Sequence, residues 1–200
     1  MTRRIILIGA AVYLLFCLIA FARFVGVPAS DVFSSDASGY SRGAIYLLQS
    51  FFYSLDGIHP LFSREPGHSF FLSALYIAFG VENATALFLT QATLYFFAVL
   101  WFVRCLSHLA GERVAGICFF LLLTAVSVFH SIFSGYRECL ALVLLLTFSS
   151  LFLTFLRNRT AVQAILTGAV LGLVILTYYS FLLFPFFLFM APPLYRFSFI

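Results

Sequence analysis

Three short stretches of this 200-residue chain bring together side chains that can move protons or hold anions. Asp36-Ala37-Ser38-Gly39-Tyr40 sets a carboxylate four residues ahead of a phenol. On a helical turn that spacing puts both groups on one face. Such a carboxylate can take the proton of an acceptor hydroxyl or bind a metal ion. It can equally cap the helix that Tyr40 opens. Arg64-Glu65-Pro66-Gly67-His68 packs a cation, an acid and an imidazole at the start of a helix, where free backbone N–H groups suit a phosphate. The plainer reading there is a turn with a surface ion pair of little energy. Arg137-Glu138 stands between two apolar segments, where ionisable groups are costly and either serve function or pair with one another. His59 lies in a Gly-Ile-His-Pro turn and His130 at the end of an apolar segment; both read more simply as structural donors. His108 and Glu112 read as loop charges.

The elements that must position these groups follow from the solvent the chain needs. The composition is 64% hydrophobic and 9% charged, with a mean hydropathy of +1.11. A soluble domain has about 45–50% apolar and about 25% charged residues, and no water-soluble fold of this length hides so much apolar surface. The net charge of +4 does not point to nucleic acid: all 11 cations are Arg, standing singly or in pairs at the ends of apolar segments, as topology signals do. The four cysteines (Cys17, Cys105, Cys118, Cys139) form no C-x-x-C pair, so neither a zinc knuckle nor a redox motif is expected. They read as small buried hydrophobes.

The expected fold class is all-α: a polytopic transmembrane helical protein with five to six spans, plus two interfacial helices in the first outer loop. An uncleaved signal anchor runs from about Ile5 to Val25. A polar loop follows, about residues 28–83, holding Asp31, Asp36, Asp56, Glu65 and Glu82. Within it, apolar residues at Ala44, Leu47, Leu48, Phe51, Phe52 and Leu55 repeat with helical period after Tyr40. A second helix starts at Pro66, which suits a first turn, and runs to Gly80. Its length of about 22 Å falls short of the ~30 Å hydrocarbon core, so both pieces are read as lying on or dipping into the membrane surface. Further spans cover roughly Ala84–Leu106, Val114–Phe133, Leu140–Leu156, Ala161–Tyr178 and Ser180–Leu194, the last broken by Pro185. Gly168 and Gly172 form a small-xxx-small packing motif.

Charge counting sets the orientation. With a cytoplasmic N-terminus, Arg3, Arg4, Arg104, Arg113, Arg157, Arg159 and Arg196 fall inside, and Arg23, Arg42, Arg64 and Arg137 outside. This obeys the positive-inside rule. Making the Pro66–Gly80 segment a true span would reverse every later loop. The 200 residues therefore read as one transmembrane domain in a bacterial-type inner membrane, the N-terminal portion of a longer protein.

Taken together, the pieces resemble one family. An N-terminal span leads to an outer loop with Asp-Ala-x-x-Tyr (Asp36 to Tyr40). Arg-Glu-Pro-Gly-His-Ser-Phe-Phe-Leu-Ser-Ala-Leu-Tyr-Ile-Ala-Phe-Gly follows, ending at Gly80. A long span closes with Gly111-Glu112-Arg113, and Glu138 begins the fourth span. This resembles the N-terminal half of the GT-C membrane glycosyltransferases, the dolichyl-phosphate-mannose–protein mannosyltransferase-like and aminoarabinose-transferase-like group. The resemblance implies a transferase acting on the outer face, with a polyprenyl-phosphate-linked sugar as donor and a glycan, lipid or protein as acceptor. It implies that Asp36 and Glu138 are catalytic acids. Asp36 would serve as base or acceptor-orienting group, with Tyr40, Arg64, Glu65, His68 and Arg137 as substrate-binding residues. Where family members often carry Lys or Arg after a Thr at the outer end of the fifth span, this chain has Thr177-Tyr178-Tyr179. No metal-ligand cluster stands out, although Asp36 and Glu138 could share a divalent cation with a phosphate. The rival readings are a non-enzymatic membrane carrier or scaffold for prenyl-linked glycans, or a transporter. A transporter calls for ionisable groups in mid-span, and none is clearly there.

Overall fold

The computed structural model describes residues 3–24, 26–56, 58–60 and 64–183. The described chain is helical, with an isolated antiparallel bridge between Ser54 and Pro60. Eight α-helices follow one another: α1 Arg3–Phe24, α2 Ala29–Val32, α3 Asp36–Ser50, α4 Pro66–Phe79, α5 Ala84–Thr124, α6 Val126–Phe133, α7 Glu138–Asn158 and α8 Ala161–Thr177. A 3₁₀ turn, Tyr179–Leu183, closes the described part. Helices α1, α5 and α7 are each long and apolar enough to cross a membrane, which makes this an all-helical membrane protein. The expected span at Ser180–Leu194 lies mostly outside the described residues.

Helix α5 is a hairpin rather than a rod. The Tyr95 hydroxyl donates to the Leu122 carbonyl at 2.6 Å. In a straight helix, 27 residues would separate these groups by about 40 Å. The reversal is at Gly111, whose φ of 84° and ψ of 164° are outside helical space and suit glycine. The arms, residues 84–110 and 112–124, match the second expected span and the start of the third. The third was expected to continue unbroken to Phe133; instead Ala125 turns extended (φ −65°, ψ 109°) and α6 starts afresh. With its amide nitrogen turned toward them, buried Gln91 donates to the carbonyls of Ser131 and Ile132 at 3.3 and 2.9 Å, tying α6 to the first arm. Tyr13, Tyr95, Val99, Phe119 and Cys139 share the core these helices enclose.

The two ends of the bundle can be told apart by what meets there. Ile6, Arg104 and His108 line one cavity, and Cys105, His108, Arg157 and Asn158 another. At the opposite end Phe133 stacks on Phe88 and meets Phe24 at a tilt, and Arg137 lies over the Tyr178 ring. Residues expected on a common side of the membrane therefore share a common end.

Helix α4 has both of its own ends at this second end. Gly67 abuts Leu176 and Thr177 at the close of α8, so closely that a methyl at Gly67 would fall 2.8 Å from the Leu176 carbonyl oxygen. Its other end leads through Gly80 (φ 92°) directly into α5. At 14 residues, about 21 Å, it lies across the bundle end rather than along it. It is held by hydroxyls at helical spacing on one face. Ser69 donates to the Tyr40 carbonyl (3.0 Å) and Ser73 to the Ala44 carbonyl (3.1 Å). The Tyr76 hydroxyl donates to Ser41 (2.9 Å), whose own proton goes to Glu82 (2.6 Å). The other face exposes Phe70, Ala74 and Ile77. The Gly168 and Gly172 motif on α8 meets no described neighbour: a methyl at either position would touch nothing within 4 Å.

Candidate functional site

The polar residues singled out in sequence converge at the end of the bundle that α4 covers. Asp36 is the first residue of α3, and Ser35 takes the cap position without a side-chain bond. The capping role thus falls away, because the Asp36 carboxylate turns to Arg64 instead. The Arg64 guanidinium donates to Asp36 Oδ1 and to the Asp36 carbonyl, each at 3.0 Å. The same guanidinium sits 5.3 Å from the Tyr40 ring centre, so the four-residue spacing does place Asp36 and Tyr40 on one face. Gly39 makes room for it: a methyl there would fall 2.8 Å from Arg64 Cζ. Ser35 holds φ at 52°, a costly value for a side-chain-bearing residue and a mark of a constrained site. The Asp36 side chain is 73% exposed and Arg64 27%.

Behind this open pair lies a closed one. Glu65 is 6% exposed and accepts from the Arg137 guanidinium. The Tyr40 hydroxyl adds a long bond to Oε2 (3.4 Å) and the Tyr179 backbone N–H one to Oε1 (3.3 Å). The expected surface pair between neighbours Arg64 and Glu65 does not form. Glu65 is extended (φ −71°, ψ 131°), so successive side chains leave on opposite sides. Arg137 is held between two rings, 4.3 Å from Tyr178 and 5.8 Å from Tyr40, a cation–π arrangement. Burial above all, with Glu65 adding to it and both arginines opposing, pushes the Tyr40 phenol up to about 12. It stays protonated and a donor.

His68 is fully buried in the first turn of α4. Its Nε2 lies 2.9 Å from the Gly135 carbonyl, so in the neutral ring that nitrogen donates. Nδ1 has no partner among the described residues. The ring meets Tyr40 edge-on at 5.3 Å. Desolvation, joined by the Arg137 charge and partly offset by the Gly135 bond, lowers its pKa to about 4. His68 thus ties α4 to the turn that carries Arg137. Glu138 is exposed in the first turn of α7, where a carboxylate suits the helix dipole; no described residue donates to it. His59 pairs with Asp56 at 2.8 Å in an exposed turn. Asp56 is held well below the usual carboxylate range by the N–H and ring of His59, the N–H of Ile58 and the Ser54 hydroxyl. His130 lines a separate small cavity with Asp31 and Tyr136.

Sequence reasoning did not assign Tyr53, Tyr178 or Tyr179 to the site. Tyr53 bonds the Glu65 carbonyl at 3.3 Å. The paired tyrosines directly after Thr177, at the outer end of a span, were the available signal. No group of three or more His, Cys, Asp or Glu comes together among the described residues. What the site can do is present a carboxylate beside two guanidiniums. No family model matches this chain, and neither a curated protein nor a solved structure does so.

Two outcomes test the inner layer. Glu65→Gln leaves Arg137 without its counter-charge and should destabilise the protein by about 3 kcal/mol, read from the unfolding midpoint in detergent. Removing Arg137 as well should cost less than the sum of the two single changes. The His68 shift also sets a pH dependence. The folded-state pKa of about 4 lies below the ordinary 6.5, so the unfolded chain binds the proton first. Stability is complete above about pH 6.5 and falls by about 3 kcal/mol as pH drops to 4. His68→Gln should flatten that part of the stability profile, and an unchanged slope would refute the assignment.

Proposed function

We propose that this chain is the donor-site part of a membrane glycosyltransferase of the GT-C type. It would move a sugar from a polyprenyl-phosphate donor to an acceptor hydroxyl on the non-cytoplasmic face. The observation that carries the reading is the exposed Asp36 carboxylate, oriented by Arg64, with the Arg137 guanidinium behind it across Tyr40. In the reaction, Asp36 accepts the acceptor's proton as the acceptor oxygen bonds to the sugar C1. The bond from C1 to the phosphate oxygen breaks, and the electron pair leaves with the polyprenyl phosphate. That leaving group is already stable, so a modest base suffices, and the arginines meet the charge that develops. Each guanidinium has five N–H donors. Arg64 is seen to use two groups and Arg137 one, which leaves donors for a phosphate. The groove of about 510 Å³ between α1 and α5, walled by Leu14, Phe21, Phe88 and Phe97, suits a prenyl chain. Helices α3 and α4 would lie at the outer membrane surface, with Phe70 and Ile77 toward lipid.

A second reading keeps one observation in its favour. Glu65 already neutralises Arg137 inside the protein, as befits a carrier or scaffold that binds a prenyl-linked glycan without reacting with it. Asp36→Asn separates the two. A transferase should lose at least about a hundredfold in sugar transfer, the scale of a general base, while folding and lipid binding persist. Retained transfer would sink the catalytic assignment, and lipid binding without transfer in the native chain would favour the carrier.

Orientation is tested separately. In a background without the native cysteines, Ser38→Cys should react with a membrane-impermeant thiol reagent from outside the cell and Asn158→Cys should not. The reverse pattern would overturn the cytoplasmic N-terminus.

A further inference from the structure

The opposite end of the bundle holds a second polar site. A cleft of about 550 Å³ opens between the first arm of α5 and the last turns of α7, lined by Cys105, His108, Leu109, Leu153, Thr154, Arg157 and Asn158. Its back wall is closed by the contact of Cys105 Sγ with Thr154 Oγ1 at 3.7 Å. His108, Arg157 and Asn158 are exposed at its mouth. On the far side of His108 a second, smaller cavity carries Arg104 and Ser107. Neither Arg104 nor Arg157 forms an ion pair with any described residue, in contrast to the paired arginines at the other end. The nearby acid is Glu112, beyond the Gly111 reversal.

We propose that this cleft binds the headgroup of an anionic phospholipid from the leaflet at this end of the bundle. Basic pockets between membrane helices are suited to such headgroups. Arg157 and Asn158 supply charge and hydrogen bonds for the phosphate, and His108 a further donor. Leu153, one turn before Arg157 on α7, continues the wall toward the middle of the bundle, where an acyl chain would lie; a soluble phosphate would have no use for that wall. Arginine charge is required here for a specific reason. The first arm of α5 and α7 both end at this site, and the carbonyls of their last turns repel an anion. The proposal does not rest on the glycosyltransferase reading and would hold for a carrier equally.

The test uses the whole chain in nanodiscs and detergent. Thermal midpoint and native mass spectrometry are followed as phosphatidylglycerol, phosphatidylcholine or inorganic phosphate is added. Phosphatidylglycerol should stabilise the protein and remain bound, and phosphatidylcholine should do neither. Arg157→Gln should weaken retention about fivefold, Arg157→Lys should restore most of it, and Arg42→Gln, in the α3 helix, should change nothing. Should Arg157→Gln fail to fold, His108→Gln gives the same reading from the α5 wall of the cleft. Equal stabilisation by phosphatidylcholine, or retention unaffected by these changes, would overturn the proposal. Saturation by inorganic phosphate alone would overturn it too, assigning the cleft to a soluble anion instead.

Discussion

The end of the bundle that holds the candidate site is organised by a carboxylate that has left water. A buried Glu65 must be matched on every side or it costs several kcal/mol. The matching groups come from three places in the chain: Arg137 before α7, Tyr40 from α3 and the Tyr179 N–H after α8, while Glu65 itself stands at the start of α4. Distant segments must therefore meet at one point. Gly67 allows α4 to approach α8 closely enough, and His68 fastens α4 to the turn preceding Arg137. Satisfying one charge fixes the geometry of all the others.

That arrangement divides the work between two acids that look alike in sequence. Glu65 spends its lone pairs on Arg137, Tyr40 and Tyr179, so it orders the site and is poorly placed to take a proton. Asp36 faces solvent and is held from one side only. Its orientation comes from Arg64, whose own position depends on the absence of a side chain at Gly39. The buried pair thus serves as scaffold, and on the proposed reading the open pair is the reactive edge. A rigid inner shell supporting a solvent-facing group is what a precise site requires.

Much of this was legible before the structure. The Asp36-to-Tyr40 spacing implied a shared face, Pro66 marked the start of α4, and the Gly111-Glu112-Arg113 loop expected between two spans is where the structure reverses, as the Tyr95–Leu122 bond makes concrete. The partners of the charges were not legible. Adjacent Arg64 and Glu65 read as a pair, yet extended backbone at Glu65 sends them to different partners. The break at Ala125 had no local signal, and the Tyr178-Tyr179 pair after Thr177 marked a polar span end without naming its partners, since both are set by tertiary contacts. The glycine pair on α8 suggested a packing seam that no described helix fills, because such spacing records opportunity rather than contact.

The charge layout at the two ends completes the physical picture. Asp36, Arg64, Glu65 and Arg137 cancel among themselves, whereas Arg104 and Arg157 at the far end stand without described partners. An anion can approach the far end by simple attraction. At the near end it must compete with a carboxylate already in place. On the proposed reading that competition is useful. A donor phosphate that draws Arg64 toward itself loosens the hold on Asp36 and leaves its carboxylate free to turn to the acceptor hydroxyl. Glu65, sealed behind Tyr40, keeps Arg137 fixed while this exchange takes place. The open pair can then respond to substrate without disturbing the buried one.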